Sequence, residues 1–87
     1  ASEAKPLIVQ PKEIFVNIDK NNSIFLGGQR YDLLRLEEHL INAARNNPAN
    51  QSVIIRADKH CELDVVVQVI NACKKADVGH SLTTDGN

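Results

Sequence analysis

The spacing of apolar and polar positions changes several times along this chain, and each change marks an element. Ile14, Val16 and Ile18 alternate with Phe15 and Asn17, the period of two that a strand requires. Residues 19–23, Asp-Lys-Asn-Asn-Ser, are turn chemistry. Ile24, Phe25 and Leu26 read as a second short strand, and Gly27-Gly28 supply the positive φ values of a tight hairpin. A small meander therefore opens the folded region.

From Leu33 onward the period lengthens. Leu33, Leu36, Leu40 and Ala43 fall on one helical face, with Arg35, Glu38, Asn42 and Arg45 opposite. Asp32 stands where an N-cap belongs, and the helix is expected to end before Pro48. Leu34 and Ile41 lie off the apolar stripe, which makes them candidates for a dimer or partner surface; the competing reading is packing under the N-terminal segment. Ser52–Ala57 is a short strand of the buried type.

The run from Val65 to Ile70 is ambiguous. Five of its six residues are β-branched, which favours a strand. Asp64, Gln68, Asn71 and Lys75, however, draw a single polar line down a helix, and Leu63, Val66, Ile70 and Cys73 lie across from it. Glu62 and Asp64 at the start and Lys74 and Lys75 at the end suit a helix dipole. The spacing predicts a helix, and a last strand, His80–Thr84, follows Gly79. The order ββ(β)αβαβ predicts an α+β, two-layer fold: a small four- to five-stranded mixed sheet with two helices packed on one face.

With 87 residues, one domain is expected. Pro6 and Pro11 bracket Leu7, Ile8 and Val9, so residues 1–12 read as a linker with one extended piece and residues 13–87 as the domain. Leu7, Ile8 and Val9 are candidates for an edge strand that pairs across a twofold axis. The chain starts at Ala1 and contains no Met, which suggests a processed product or an excised fragment. It has no apolar run near the roughly 20 residues that span a bilayer. Hydrophobic residues make up 43%, with one Tyr and two Phe, so the core is expected to be aliphatic. A net charge of −1 gives no electrostatic reason to bind nucleic acid.

The densest candidate chemistry is the cluster Asp58, Lys59, His60, Cys61, Glu62 and Asp64. A thiol at a helix N-terminus has a lowered pKa, the one point in favour of a Cys61 nucleophile. Adjacency of His60 in sequence is not a catalytic pair, and no nucleophile motif surrounds the cysteine. The ligand-type residues lack the spaced pairs that aim two donors at one metal. Gly27-Gly28 lacks the Lys-Ser/Thr of a phosphate loop. The cluster is therefore read as a strand-to-helix turn that Asp58 fixes, with no catalytic residue, no metal and no cofactor. On or beside one helix, Cys61 and Cys73 would stand about 18 Å apart, beyond the roughly 7 Å a disulfide allows. Cys73 is expected in the core.

Residues 53–77, VIIRADKHCELDVVVQVINACKKAD, resemble the periplasmic signature of the ExbD/TolR biopolymer-transport family: an aliphatic strand ending in Arg-Ala-Asp, a few polar residues, then a valine-rich helix. Arg56, Ala57 and Asp58 match that block. The stretch VNIDKNNSIFLGGQRYDLLRLEEHL resembles the family's earlier strand-turn-strand-helix, and the likeness extends over about residues 13 to 84. Leu63 stands where the family commonly has an aromatic, and Asp77 where its helix-ending Gly is usual.

The resemblance implies the periplasmic domain of a single-pass inner-membrane protein in a proton-motive-force-driven complex. It further implies a homodimer, an ExbB-like channel partner reached through a transmembrane helix before Ala1, and a TonB-like periplasmic segment paired on a sheet edge. An oxidising periplasm would let Cys61 cross-link two chains. Two alternatives stay open: a TolR-like domain binding TolA or peptidoglycan, and an unrelated intracellular regulatory domain of the same layout.

Overall fold

The computed structural model describes residues 12–85. It contains β1 (Lys12–Ile18), β2 (Ile24–Leu26), β3 (Gln29–Tyr31), α1 (Leu33–Asn46), β4 (Gln51–Asp58), α2 (Leu63–Lys75) and β5 (Gly79–Asp85). The strands form one mixed sheet in the order β3-β2-β1-β4-β5. β1, β2 and β3 are an antiparallel meander, and β1, β4 and β5 run parallel. The α+β fold with a small mixed sheet and two helices is as the spacing predicts. The Leu7, Ile8 and Val9 stretch lies outside the described residues.

Local chemistry sets the turns. Asp19 Oδ1 accepts from the backbone N–H groups of Asn21 and Ser23, both at 2.9 Å, closing the β1–β2 turn. Gly27 and Gly28 take φ of 56° and 80°, the positive pair that a two-residue type I′ hairpin needs. Asp32 caps α1, its Oδ1 accepting from Arg35 N at 2.7 Å.

The valine-rich run is helical. The polar line Asp64, Gln68, Asn71 and Lys75 is exposed throughout, and Val66, Val69, Ala72 and Cys73 are the buried residues. The buried stripe is thus rotated from the expected one. Ile70 is only half-buried, and Leu63, at the very start of the helix, is 74% exposed. In α1, Leu36 and Leu40 are buried, and Ile41 and Ala44 pack against the core where Ala43 was expected.

The core is one aliphatic layer between sheet and helices. Val16, Ile18, Ile24, Leu26, Val53, Ile55 and Ala57 meet Leu36, Leu40, Val66, Val69 and Cys73. No polar or charged side chain is buried among the described residues. One exposed ion pair joins the helices, Lys75 Nζ to Glu37 Oε1 at 3.4 Å, a contribution of about 1 kcal/mol or less. No helix among the described residues is long and apolar enough to cross a membrane.

Candidate interaction surfaces

With both helices on one side, nothing among the described residues covers the other face of the sheet or its edges. β5 is the longer outer strand. His80, Ser81, Leu82, Thr83 and Thr84 are all exposed, and β4 is their only paired neighbour among the described residues. The strand contains neither proline nor lysine, the usual guards against edge pairing. At the far side β3 offers only three residues.

A second gap lies inside the sheet. β2 pairs only with Asn17 and Ile18 of β1, so Lys12–Val16 has no strand neighbour on that side among the described residues. Lys12 N donates to Asn50 O at 2.9 Å on the β4 side. Peptide groups alternate direction along a strand, so those of Glu13 and Phe15 point the other way, into the gap. A cavity of about 560 Å³ opens there, with Ile14, Leu26, Tyr31 and His39 toward the helices and Phe15 and Arg56 on the open face.

Arg56 is held firmly at this gap. Its Nε donates to Asn17 Oδ1 at 2.9 Å, and its guanidinium lies 4.4 Å from the centroid of the Phe15 ring. The register explains the grouping: β4 pairs Ile54 with Phe15 and Arg56 with Asn17, so all four side chains share the open face. Neither terminal nitrogen of Arg56 has an acceptor among the described residues.

The polar cluster after β4 is a turn. Asp58 Oδ1 accepts from His60 N at 2.8 Å and lies 3.2 Å from His60 Nδ1. Cys61 N donates to Asp58 O at 3.0 Å. The backbone hydrogen bond from His60, more than any other contact, holds the Asp58 carboxyl below its ordinary pKa. Asn22, at φ 67°, accepts from Glu62 N at 2.7 Å and ties the β1–β2 turn to the start of α2. Ala57, between Arg56 and Asp58, is buried in the core.

The thiols do not behave as a nucleophile needs. Burial first, and then the Asp58 charge, raise the pKa of Cys61. That corrects the lowering expected from a helix N-terminus: desolvation and the acidic neighbour raise it instead. Burial pushes Cys73 up to about 11, and its side chain is inside the core. Both cysteines are free. Among the described residues no group of three or more His, Cys, Asp or Glu side chains is placed to hold a metal.

Of the other candidates, Leu34 is 65% exposed, whereas Ile41 is half-buried and packed on the core. Arg56 and Asp58 flank the same strand end but face different tasks, one turned to the gap and one to the turn. The reading from sequence placed Arg56 with Ala57 and Asp58 and missed Phe15 and Asn17. The parallel β1–β4 register brings these residues together from 39 or more positions apart, and no local spacing encodes it.

These features define a small α+β domain whose exposed chemistry lies in unpaired strand edges. The chain matches the family described as “Biopolymer transport protein ExbD/TolR” over residues 1–85 and belongs to it. No curated protein matches the chain. The family consists of biopolymer-transport components, typically anchored in a membrane with a domain in the periplasm.

Proposed function

We propose that this domain works in the periplasm as the interaction module of a proton-motive-force-driven complex of the TonB–ExbB–ExbD kind. It acts by pairing unpaired strand edges with extended segments. A second copy occupies the β5 edge, with Leu7, Ile8 and Val9 as the strand that crosses, while Leu34, near β3 at the other side of the sheet, is apolar surface for a separate contact. A TonB-like periplasmic segment is the transient partner. A membrane helix before Ala1 links the domain to an ExbB-like channel, so force generated in the membrane reaches whatever the domain grips.

The observation that carries this reading is the pair of edges, β5 and the overhang of β1, that no strand of the described residues covers, on a domain that belongs to the ExbD/TolR family. Main-chain pairing supplies affinity without a deep pocket, and side-chain sites beside the edge supply selectivity. The test is a titration of the isotope-labelled domain with an extended peptide from a TonB-like partner, read by amide NMR shifts. Shifts confined to strand-edge amides are expected. Unmoved strand amides at millimolar peptide would sink the proposal.

A further inference from the structure

We propose that the gap beside β1 is a docking site for an extended peptide that carries an acidic residue flanked by aliphatic ones. The acid is held by Arg56 and the aliphatic side chains enter the cavity behind. This rests on the reading of the domain as a binder of extended segments, and it names which edge takes the partner and what chemistry that partner has.

Three observations converge on one place. First, Glu13 and Phe15 turn their N–H and C=O groups into a gap with no strand in it among the described residues. The hairpin tip at Gly27-Gly28 closes the gap at one end, so there is room for about three paired residues.

Second, the gap carries an oriented cation with no anion paired to it among the described residues. Stacking on Phe15 and the bond to Asn17 fix the plane of the Arg56 guanidinium and use up Nε. What remains is the end of the fork, two terminal nitrogens side by side, the arrangement that takes both oxygens of a carboxylate. No carboxylate of the described residues pairs with it. Asp58, two residues on, is engaged with His60. The cost of ordering the arginine is already met in the free protein, which raises the return on binding.

Third, the helix side of the same gap is mainly apolar, with His39 as the polar side chain that lines it. Ile14 and Leu26 line it with the Tyr31 ring, which is itself set edge-on against His39 at 5.6 Å. An added strand places successive side chains on opposite faces. A central acid on the open face therefore puts its two neighbours on the helix face, against Ile14, Leu26 and Tyr31. The motif the geometry selects is aliphatic–acid–aliphatic.

The probe is a capped eight-residue peptide centred on Val-Asp-Val, with Ser and Thr on either side, and a twin with Asn in place of Asp. Each is titrated into the labelled full chain. The Asp peptide is expected to shift the amides of Glu13, Phe15, Gly27 and Gly28. Its twin is expected to bind about tenfold or more weakly, the loss typical of a charge-assisted pair. Arg56→Gln should erase the difference between the two peptides. Arg56→Lys should recover only part of it, since lysine keeps the charge but loses the fork and the stack. Arg56 is exposed, so both variants are expected to fold, and their unperturbed core amides verify it.

Equal binding of the two peptides, or a difference that survives Arg56→Gln, overturns the inference. Shifts confined to Gly79–Asp85 also overturn it while leaving the edge-pairing function intact. Silence of every strand amide at millimolar peptide removes both.

Discussion

Asp77 sits at φ 57°, the left-handed region that glycine enters freely and other L-residues enter at a cost. Its place explains why it is there. Asp77 N donates to Lys74 O and Val78 N to Cys73 O, both at 3.1 Å, which is the Schellman closure of α2. The closure demands a left-handed residue just after the cap Ala76, and the chain uses Asp where the family's usual residue is Gly. Asp77→Gly is expected to raise stability by roughly 0.5–1 kcal/mol, or about 4 °C in the melting temperature of a chain this size. Urea denaturation checks it: an unchanged or lower midpoint would show that Asp77 makes a contact worth more than its strain. Leu63 teaches a different lesson at this scale. It falls on the predicted apolar stripe yet stands 74% exposed as the first residue of α2, whose buried residues begin only at Val66.

At the scale of the element, the two helices begin in different ways. α1 has Asp32 as its N-cap, with a side-chain bond to Arg35 N at 2.7 Å. α2 has Glu62 at the equivalent place with no side-chain cap bond, since the longer side chain overshoots the N–H groups it would have to meet. Glu62→Asp keeps the charge and shortens the reach, so a gain of about 0.5–1 kcal/mol is expected. Asp32→Ala should lose about 1 kcal/mol. Chemical denaturation of both variants tests the pair, and a neutral Asp32→Ala would break the capping account. Most of these elements were legible in the sequence because each carries its own period: alternation in β1, paired glycines at the hairpin, one polar line down α2. Even the β-branched run from Val65 to Ile70 yielded to spacing, since propensity is a weaker constraint than the need to bury one face. The gap beside β1 was not legible. It depends on β2 being shorter than β1, which the local pattern does show, and on a parallel register that brings Phe15, Asn17 and Arg56 together, which no local stretch encodes.

For the whole molecule, an exposed seven-residue edge strand is a liability unless something covers it. β5 has neither proline nor lysine within Gly79–Asp85, and from Gly79 to Thr84 its exposed residues are small or apolar apart from His80. On the proposed reading, pairing with a second copy turns that liability into an interface and leaves the β1 gap, three strands' width away, for a partner. On that reading, assembly and recognition are separated on one sheet. Adding a charge on each face of the edge should therefore undo the first without harming the second. Ser81 and Thr84 are exposed and make no side-chain hydrogen bond among the described residues, so Ser81→Lys with Thr84→Lys is expected to change folding stability by no more than about 0.5 kcal/mol. Sedimentation equilibrium should show the parent chain associating and the double variant at least tenfold weaker in self-association. Peptide binding at Glu13 and Phe15 should persist in the variant. A parent chain that stays monomeric at millimolar concentration, or a double variant that associates as well as the parent, would take the dimer off β5 and leave that edge for the partner instead.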